Sequence, residues 1–555
     1  MFAKIVKHGI QQNDKMKVGK LVLQLLLLLV AIPNSLAARH QVEYAGRRIV
    51  ITQDKDLKQQ TITLDDGCVL ELRGGTLKNG FIVCRDLTIL GNGNTVMDFP
   101  FIKCDGNLTI RDVKFGGFMN AGVFIEYSGA MSKKPAIQIS NVIFDGSGKV
   151  ERFLRSYLNS NIVEASILMD GCTFTNITEY VVQFASNCTG SITNCRVNNI
   201  GNTDKSHVTC FWLGYQADFA ARRFVIHNNT IDNIKASYNK VDDGREAHGI
   251  IVYGNNNKIV SNHIKNIYSE NGEKGDPGMD TEGIYLKGSY NEIAYNTIID
   301  ATGSGSDGAI TVKHIADDII SKRNLVHDNI ISNSYSNGIV LYTDKSRIYN
   351  NQIDLGHKSE CGIETFCGKS ITIAGNVIVG KNGLGNEGFS GSIVVSKCKD
   401  VIIRANNISN VPTLVNSINN RGFLKVVENV MQLTDNRNFG NNTKYTAGIY
   451  IQGGEGSIII KGNTISGKGI RGSQLIEFTK DSKVNNVRLI SNEVELEDSP
   501  KQQTFLMYVI RETPTSNVTV HENSLNIKGN YISSNKGKSF RKNSMSKSKL
   551  VETPL

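Results

Sequence analysis

The sequence predicts an all-β chain wound as a right-handed parallel β-helix, a pectin-lyase-like solenoid of about fifteen coils. Three observations carry this. The segment "NKIVSNHIKNI" recurs as "NEIAYNTIIDA", "SRIYNNQIDL", "KSITIAGNVIVG", "KDVIIRANNISN", "GSIIIKGNTISG", "NNVRLISNEVEL" and "SNVTVHENSLNI". Within each copy apolar and polar residues alternate as in a strand, and no ten-residue helical pattern intervenes. Aligning the copies puts Asn229, Asn262, Asn296, Asp328, Asn351, Asn376, Asn406, Asn429, Asn463, Asn492 and Asn523 in one column, continued upstream by Val113, Val142, Cys172 and Cys195, at spacings of 23 to 34 residues. An asparagine accepts left-handed backbone and bonds to equivalents above and below, which suits a strand-to-strand corner. At about 4.8 Å per coil the rod would be roughly 70 Å long.

The parts follow in order along the chain. "MKVGKLVLQLLLLLVAIPNSLA" at 16–37 has two lysines, an apolar run and a small-residue end, the pattern of a secretory signal cut after Ala37. Residues 1–15 read as an extension upstream of the true start, Met16. The apolar run is short for a membrane span, so none is expected. Export to the periplasm or exterior of a Gram-negative cell follows. Residues 38–105 are expected to form an N-terminal cap and the first coils; "DDGCVLELRGGTLKNGFIVCRDLTILGNGN" resembles the leading coils of exported β-helix proteins of gut Bacteroidetes. Residues 106–530 form the helix proper, and 531–555 a basic disordered tail. Long insertions at 201–222, 236–247, 268–281 and 301–307 cluster in the middle coils, where loops on a rigid scaffold commonly build a site.

The formal charge of +10 is uninformative about substrate. Residues 1–37 contribute +4 and the tail from Asn535 contributes +5, leaving the body near +1. Only local placement of lysines can argue for a polyanion. Nucleic acid is not an expected partner, and a monomer is expected. The ten cysteines match no compact disulfide framework and no zinc spacing, and several sit in apolar alternation, which reads as buried thiols. The many Asn-x-Ser/Thr triplets are by-products of the asparagine column.

Each coil carries a strand ahead of the asparagine strand: "HGIIVYG", "EGIYLKG", "GAITVKH", "NGIVLYT", "CGIETFC", "GSIVVSK". Matching inward pairs such as Ile284 and Leu286 leaves two outward columns. One is Tyr253, Lys287, Lys313, Tyr342, Phe366, Ser396. The other is Ile251, Tyr285, Thr311, Val340, Glu364, Val394. Lys287 and Lys313 thus occupy successive rungs, where two ammonium groups repel by about 1 kcal/mol in water. One should lose its proton more readily and serve as a base. Asp280 and Glu282 precede Lys287 on one side of the strand, with Glu246 and His248 at equivalent offsets one coil earlier. Three carboxylates, Glu246, Asp280 and Glu282, suit Ca²⁺. β-Elimination from a uronic acid needs a neutralised carboxylate, a base and a proton donor. Ca²⁺, Lys287, and Lys313 or His314 match those roles, with Arg245, His248, Tyr253, Tyr285, Tyr342 and Glu364 as candidate substrate contacts.

"DTEGIYLKGSYNEIAYNTIIDA" followed by "GAITVKH" resembles the chondroitinase-B and alginate-lyase family of β-helical polysaccharide lyases. That family has an acid-x-Glu pair, then the base lysine, then an Arg-His pair about one coil on. The resemblance implies calcium at Asp280, Glu282 and Glu246, the base at Lys287, and the Arg-His roles at Lys313 and His314. Here Asp280 replaces the family's first Glu, Lys313 its Arg, and Glu246 its Asn. The match spans residues 246–314. The expected function is an exported lyase of an acidic polysaccharide, a glycosaminoglycan or alginate. Two alternatives stand beside it. One is an inverting glycoside hydrolase using acids among Asp242, Asp243, Asp280, Glu282 and Asp307; the other is a non-catalytic glycan-binding rod. An outward lysine alone is ordinarily a solvated one.

Overall fold

A computed structural model describes residues 42–44, 47–128, 134–157, 163–201, 207–237, 246–270, 280–302, 308–334, 336–356, 359–380, 391–434, 447–470, 474–478, 483–498, 504–509, 517–528 and 530–534. Throughout these the chain is strand, turn and bend, wound as a right-handed parallel β-helix. Each central coil lays down three strands on three walls. In one coil these are Glu246–Asn255, Lys258–Val260 and His263–Glu270, and each pairs in parallel with its counterpart in the next coil. Sixteen strands stack in the third wall among the described residues. Parallel pairing starts with Val42–Tyr44 against Ile62–Leu64, so the first coils lie inside the region expected to hold the cap.

The core follows from period-two alternation. Ile250, Val252, Ile284, Leu286, Ile310, Val312, Ile339, Leu341, Ile363 and Ile393 are fully buried, each directly above its equivalent. Burying each such side chain contributes on the order of 1.5–3 kcal/mol. Phenylalanines fill the axis nearer the N-terminus, where Phe144, Phe153 and Phe174 meet at ring separations of 4.8 and 4.7 Å. All ten cysteines are free and nine are buried, as alternation predicts.

The asparagine column is a continuous hydrogen-bonded ladder. Asn262 Nδ2 donates to Asn296 Oδ1 at 3.0 Å and to the Ile226 carbonyl at 3.0 Å, and its main-chain N–H also donates to Asn296 Oδ1. The pattern repeats as far as Asn523. Two details correct the sequence alignment. The rung assigned to Asp328 belongs to Asn329, because the position requires an amide donor, here Asn329 Nδ2 to Ile293 O at 3.0 Å, which a carboxylate lacks. The left-handed residue is the one before each asparagine: Ser261, Tyr295, Asp328 and Asn350 have φ of 57°, 56°, 53° and 55°. A second buried ladder, Asn257 to Asn291 to Asn324, pins the corner between the first and second walls.

Candidate active site on the first wall

Register brings the two lysines together. Tyr253 pairs with Lys287 and Lys287 with Lys313 on successive coils. Gly288 turns the chain out of the wall straight after Lys287 at φ 140°; a Cβ there would lie 1.9 Å from the Gly254 carbonyl, so only glycine lets the corner close beneath the lysine. Both lysines are half-buried. Lys287 Nζ stands 5.2 Å from the Tyr253 ring centre and 5.5 Å from that of Tyr285. Lys313 Nζ stands 5.4 Å from Tyr285 and 5.5 Å from Tyr342. Tyr285 therefore supports both ammonium groups, and the surface alternates ring and cation from Tyr253 to Tyr342. Each contact is worth about 0.5–2 kcal/mol.

The aromatic surface continues toward the N-terminus beyond anything the candidate residues anticipated. Trp212, in register with Ile251, stacks on Tyr253 at 6.3 Å and 20° and on Tyr215 at 6.3 Å and 23°. Tyr180 lies 5.8 Å from Trp212, with the Arg152 guanidinium 5.1 Å from its ring. The signal was available in "HVTCFWL", where Phe211 occupies the inward column and so turns Trp212 outward. On the other side Tyr342 meets Phe366 at 5.4 Å. In the neighbouring outward column Ile251, Thr311, Val340 and Val394 are buried, so that half of the wall is covered and offers Tyr285 as its polar tip.

Two of the three acids expected to hold calcium, Glu246 and Glu282, each lie beside a histidine. Glu246 pairs with Asp280 and His248 with Glu282, as the offsets predict. Glu282 Oε2 lies 2.7 Å from His248 Nε2, with both side chains almost wholly buried, and the His248 ring is 5.9 Å from Tyr285. Glu246 Oε2 lies 3.4 Å from His207 Nδ1. The hydrogen bond from His207 holds the Glu246 carboxyl below the ordinary carboxylate range against the opposing effect of burial, with His248 and Lys313 adding to it. Each of these two carboxylates is thus engaged by an imidazole, which is not the open oxygen set calcium takes. No group of three His, Cys, Asp or Glu side chains is placed to hold a metal among the described residues. The side chain of Asp280 lies outside those residues, as do Arg245, Asp242, Asp243 and Asp307.

The remaining candidates are placed as follows. His314 Nδ1 accepts the Ser321 N–H at 3.0 Å, tying down the turn from Ile315 to Ser321. Glu364 Oε2 accepts from Asn337 Nδ2 at 3.0 Å, three coils beyond Tyr285 in the covered column. Burial raises the Tyr253 phenol above its usual value, so it is a proton donor at neutral pH. A cavity of about 580 Å³ lies six coils away on the same wall, between Phe81 and Phe101. Its charged lining is Lys103, Asp98 and Glu126, so it has no excess positive charge to set against an acidic glycan.

No protein-family model matches the sequence, and no curated protein is detectably similar to it. Among solved structures the chain is similar to a mutant DFA-IIIase from Arthrobacter chlorophenolicus in complex with DFA-III, at 12% identity over 66% of this chain and 89% of that one, TM-score 0.37. It is similar to a mannuronic acid specific polysaccharide family 6 lyase from human gut microbiota, at 13% identity over 77% and 81%, TM-score 0.35. It is also similar to a tailspike protein mutant of E. coli bacteriophage HK620 in complex with a hexasaccharide, at 11% identity over 84% and 71%, TM-score 0.36. Likeness this distant carries no argument about the chemistry, which rests on the site geometry.

Proposed function

We propose that this protein is an exported polysaccharide lyase that cleaves a uronic-acid-containing glycan by β-elimination on the first wall. The observation that carries the reading is the in-register pair Lys287 and Lys313 on either side of Tyr285, flanked by Tyr253 and Tyr342. A hydrolase has no use for two adjacent amines, whereas elimination needs one cation at the sugar carboxylate and one amine at C5.

In this reading the Lys313 ammonium neutralises the uronate, making the C5 proton more acidic. Lys287, once it has shed its own proton beside the Lys313 cation, removes the C5 proton, and the electron pair forms the C4–C5 double bond as the C4–O bond breaks. Tyr253, kept protonated by burial, would supply the proton to the leaving oxygen. His248 and Glu282 form a buried dyad whose imidazole lies 5.9 Å from the Tyr285 ring. Trp212, Tyr215 and Tyr253 offer a stacking face for the next sugar.

The test is incubation with chondroitin, hyaluronan, alginate and pectate while following ultraviolet absorbance of an unsaturated uronate. Absorbance with any of them supports elimination. New reducing ends without absorbance would show hydrolysis instead, and retained binding with no product would show a non-catalytic rod. A chelator should leave activity unchanged while Glu282 stays with His248; loss of activity restored by calcium would instead place a metal among Glu246, Asp280 and Glu282.

A further inference from the structure

Along most of the rod, outward charges on neighbouring coils pair with opposite sign. Arg48 meets Glu71 at 2.6 Å, Arg152 meets Glu179 at 2.6 Å, Lys258 meets Glu292 at 2.9 Å and Lys265 meets Asp232 at 3.1 Å. Besides Lys287 and Lys313, another stretch breaks this rule. At the start of the second wall, Lys369 is in register with Lys399 and Lys399 with Arg421, three exposed cations on consecutive coils. Lys397 joins them at the corner, its Nζ 5.0 Å from the Phe366 ring, and exposed Lys345 lies one coil earlier.

The nearby acids are turned to the main chain rather than to the cations. Asp344 Oδ1 accepts the Lys369 main-chain N–H at 2.8 Å and Asp400 Oδ1 accepts that of Phe423 at 3.3 Å. Among the described residues no carboxylate is within ion-pair distance of Lys345, Lys369, Lys397 or Lys399; Arg421 has one partner, Glu455 at 3.7 Å, with both exposed. Like charges stacked one rung apart repel one another, so the ladder opposes its own stacking unless an anion lies across it. Since the body of the chain is close to neutral, this is a local feature rather than an overspill of global charge.

We infer that this ladder is a binding track for a linear polyanionic glycan running parallel to the rod axis, with one negative charge per rung of about 4.8 Å. The inference rests on the proposed lyase reading for its ligand class. Phe366 lies two coils beyond Lys313, in line with Tyr342, and Lys369, Lys399 and Arg421 occupy that coil and the two after it. A chain seated over Lys287 and Lys313 would therefore reach the ladder after roughly 10 Å and follow it for about 10 Å more. A polyuronate has its pyranose carboxylates at about this repeat, so long chains would engage the track and short oligomers would not. The site then prefers polymer to fragments and acts within chains.

The experiment measures equilibrium binding of alginate, pectate, hyaluronan and chondroitin, and of length-defined oligomers of whichever binds, to the full chain with Lys287→Met to prevent turnover. The same is done after adding Lys369→Glu and Lys399→Glu. The expected result is an affinity for the long polymer lowered about tenfold or more at low salt, a flatter salt dependence, and less than about twofold change for a disaccharide. A Lys369→Gln, Lys399→Gln pair, with a smaller charge change, should show the same direction at lower magnitude, and guards against a folding defect in the reversal. Unchanged polymer affinity, or no binding of any of the four polyanions, overturns the inference. The two readings separate cleanly. Ladder-dependent binding with no elimination by the unmodified protein sinks the lyase reading alone; elimination with a KM for polymer indifferent to the charge reversals sinks the track alone.

Discussion

Replacing Lys287 with methionine keeps the length of the side chain and removes the amine, and the structure allows its consequences for fold and for chemistry to be separated. Loss of the ammonium relieves repulsion from Lys313, worth about 0.9 kcal/mol at a rung separation of about 4.8 Å in water. It also removes two cation–π contacts, to Tyr253 at 5.2 Å and Tyr285 at 5.5 Å, each about 0.5–1 kcal/mol at a partly exposed site. These nearly cancel. Stability should change by less than about 1 kcal/mol, a shift in melting temperature of no more than about 3 °C for a chain of this size. Removing the base should lower kcat by about 10²–10⁴-fold, or roughly 3–5.5 kcal/mol of transition-state stabilisation. Thermal unfolding followed by circular dichroism measures the first, and initial rates of unsaturated-product absorbance measure the second. A variant that melts like the parent and retains activity within about twofold would refute Lys287 as the base.

Three further outcomes follow from the geometry. Trp212→Ala should raise KM severalfold with kcat little changed, since the indole stacks beside Tyr253; an equal fall in kcat would place Trp212 nearer the reacting sugar. Asn296→Ala removes the acceptor for two donors of Asn262 and the donor to Ile259 O, all buried; unfolding free energy should fall by about 2–5 kcal/mol, and a melt within 1 °C of the parent would show that the ladder contributes no stability. Glu246 has a folded-state pKa below its ordinary 4.5, so its contribution is fully present above that value and is lost as pH falls through the folded pKa. Glu246→Gln should therefore lower stability at neutral pH and flatten the acid limb, the two proteins converging as pH falls through the folded pKa; an unaltered acid limb would contradict the His207 pairing.

Much of the architecture was legible because a solenoid writes its contacts into its period. Once the asparagine column set the register, alternation decided which residues faced the core. Ile284, Leu286, Ile310 and Val312 are buried as expected, and Lys287 pairs with Lys313 as expected. The misplaced rung shows the boundary of that logic. Asp328 and Asn329 are adjacent and both polar, and only the demand for an N–H donor toward Ile293 O distinguishes them.

The sequence by itself determined the winding, the inward and outward faces, and the meeting of two lysines, because each depends on a repeat of two residues within a strand and one coil between strands. The tertiary structure alone decided what those outward residues touch. It committed Glu282 to His248 and Glu246 to His207, and it gathered Trp212, Tyr215 and Tyr253 into one stack. It also left Lys369, Lys399 and Arg421 aligned on consecutive coils, with no described carboxylate in ion-pair contact with either lysine. Most of these contacts join side chains some 20 to 40 residues apart through inserted loops of unequal length, and their partners are chosen by side-chain direction and burial, which no periodicity encodes.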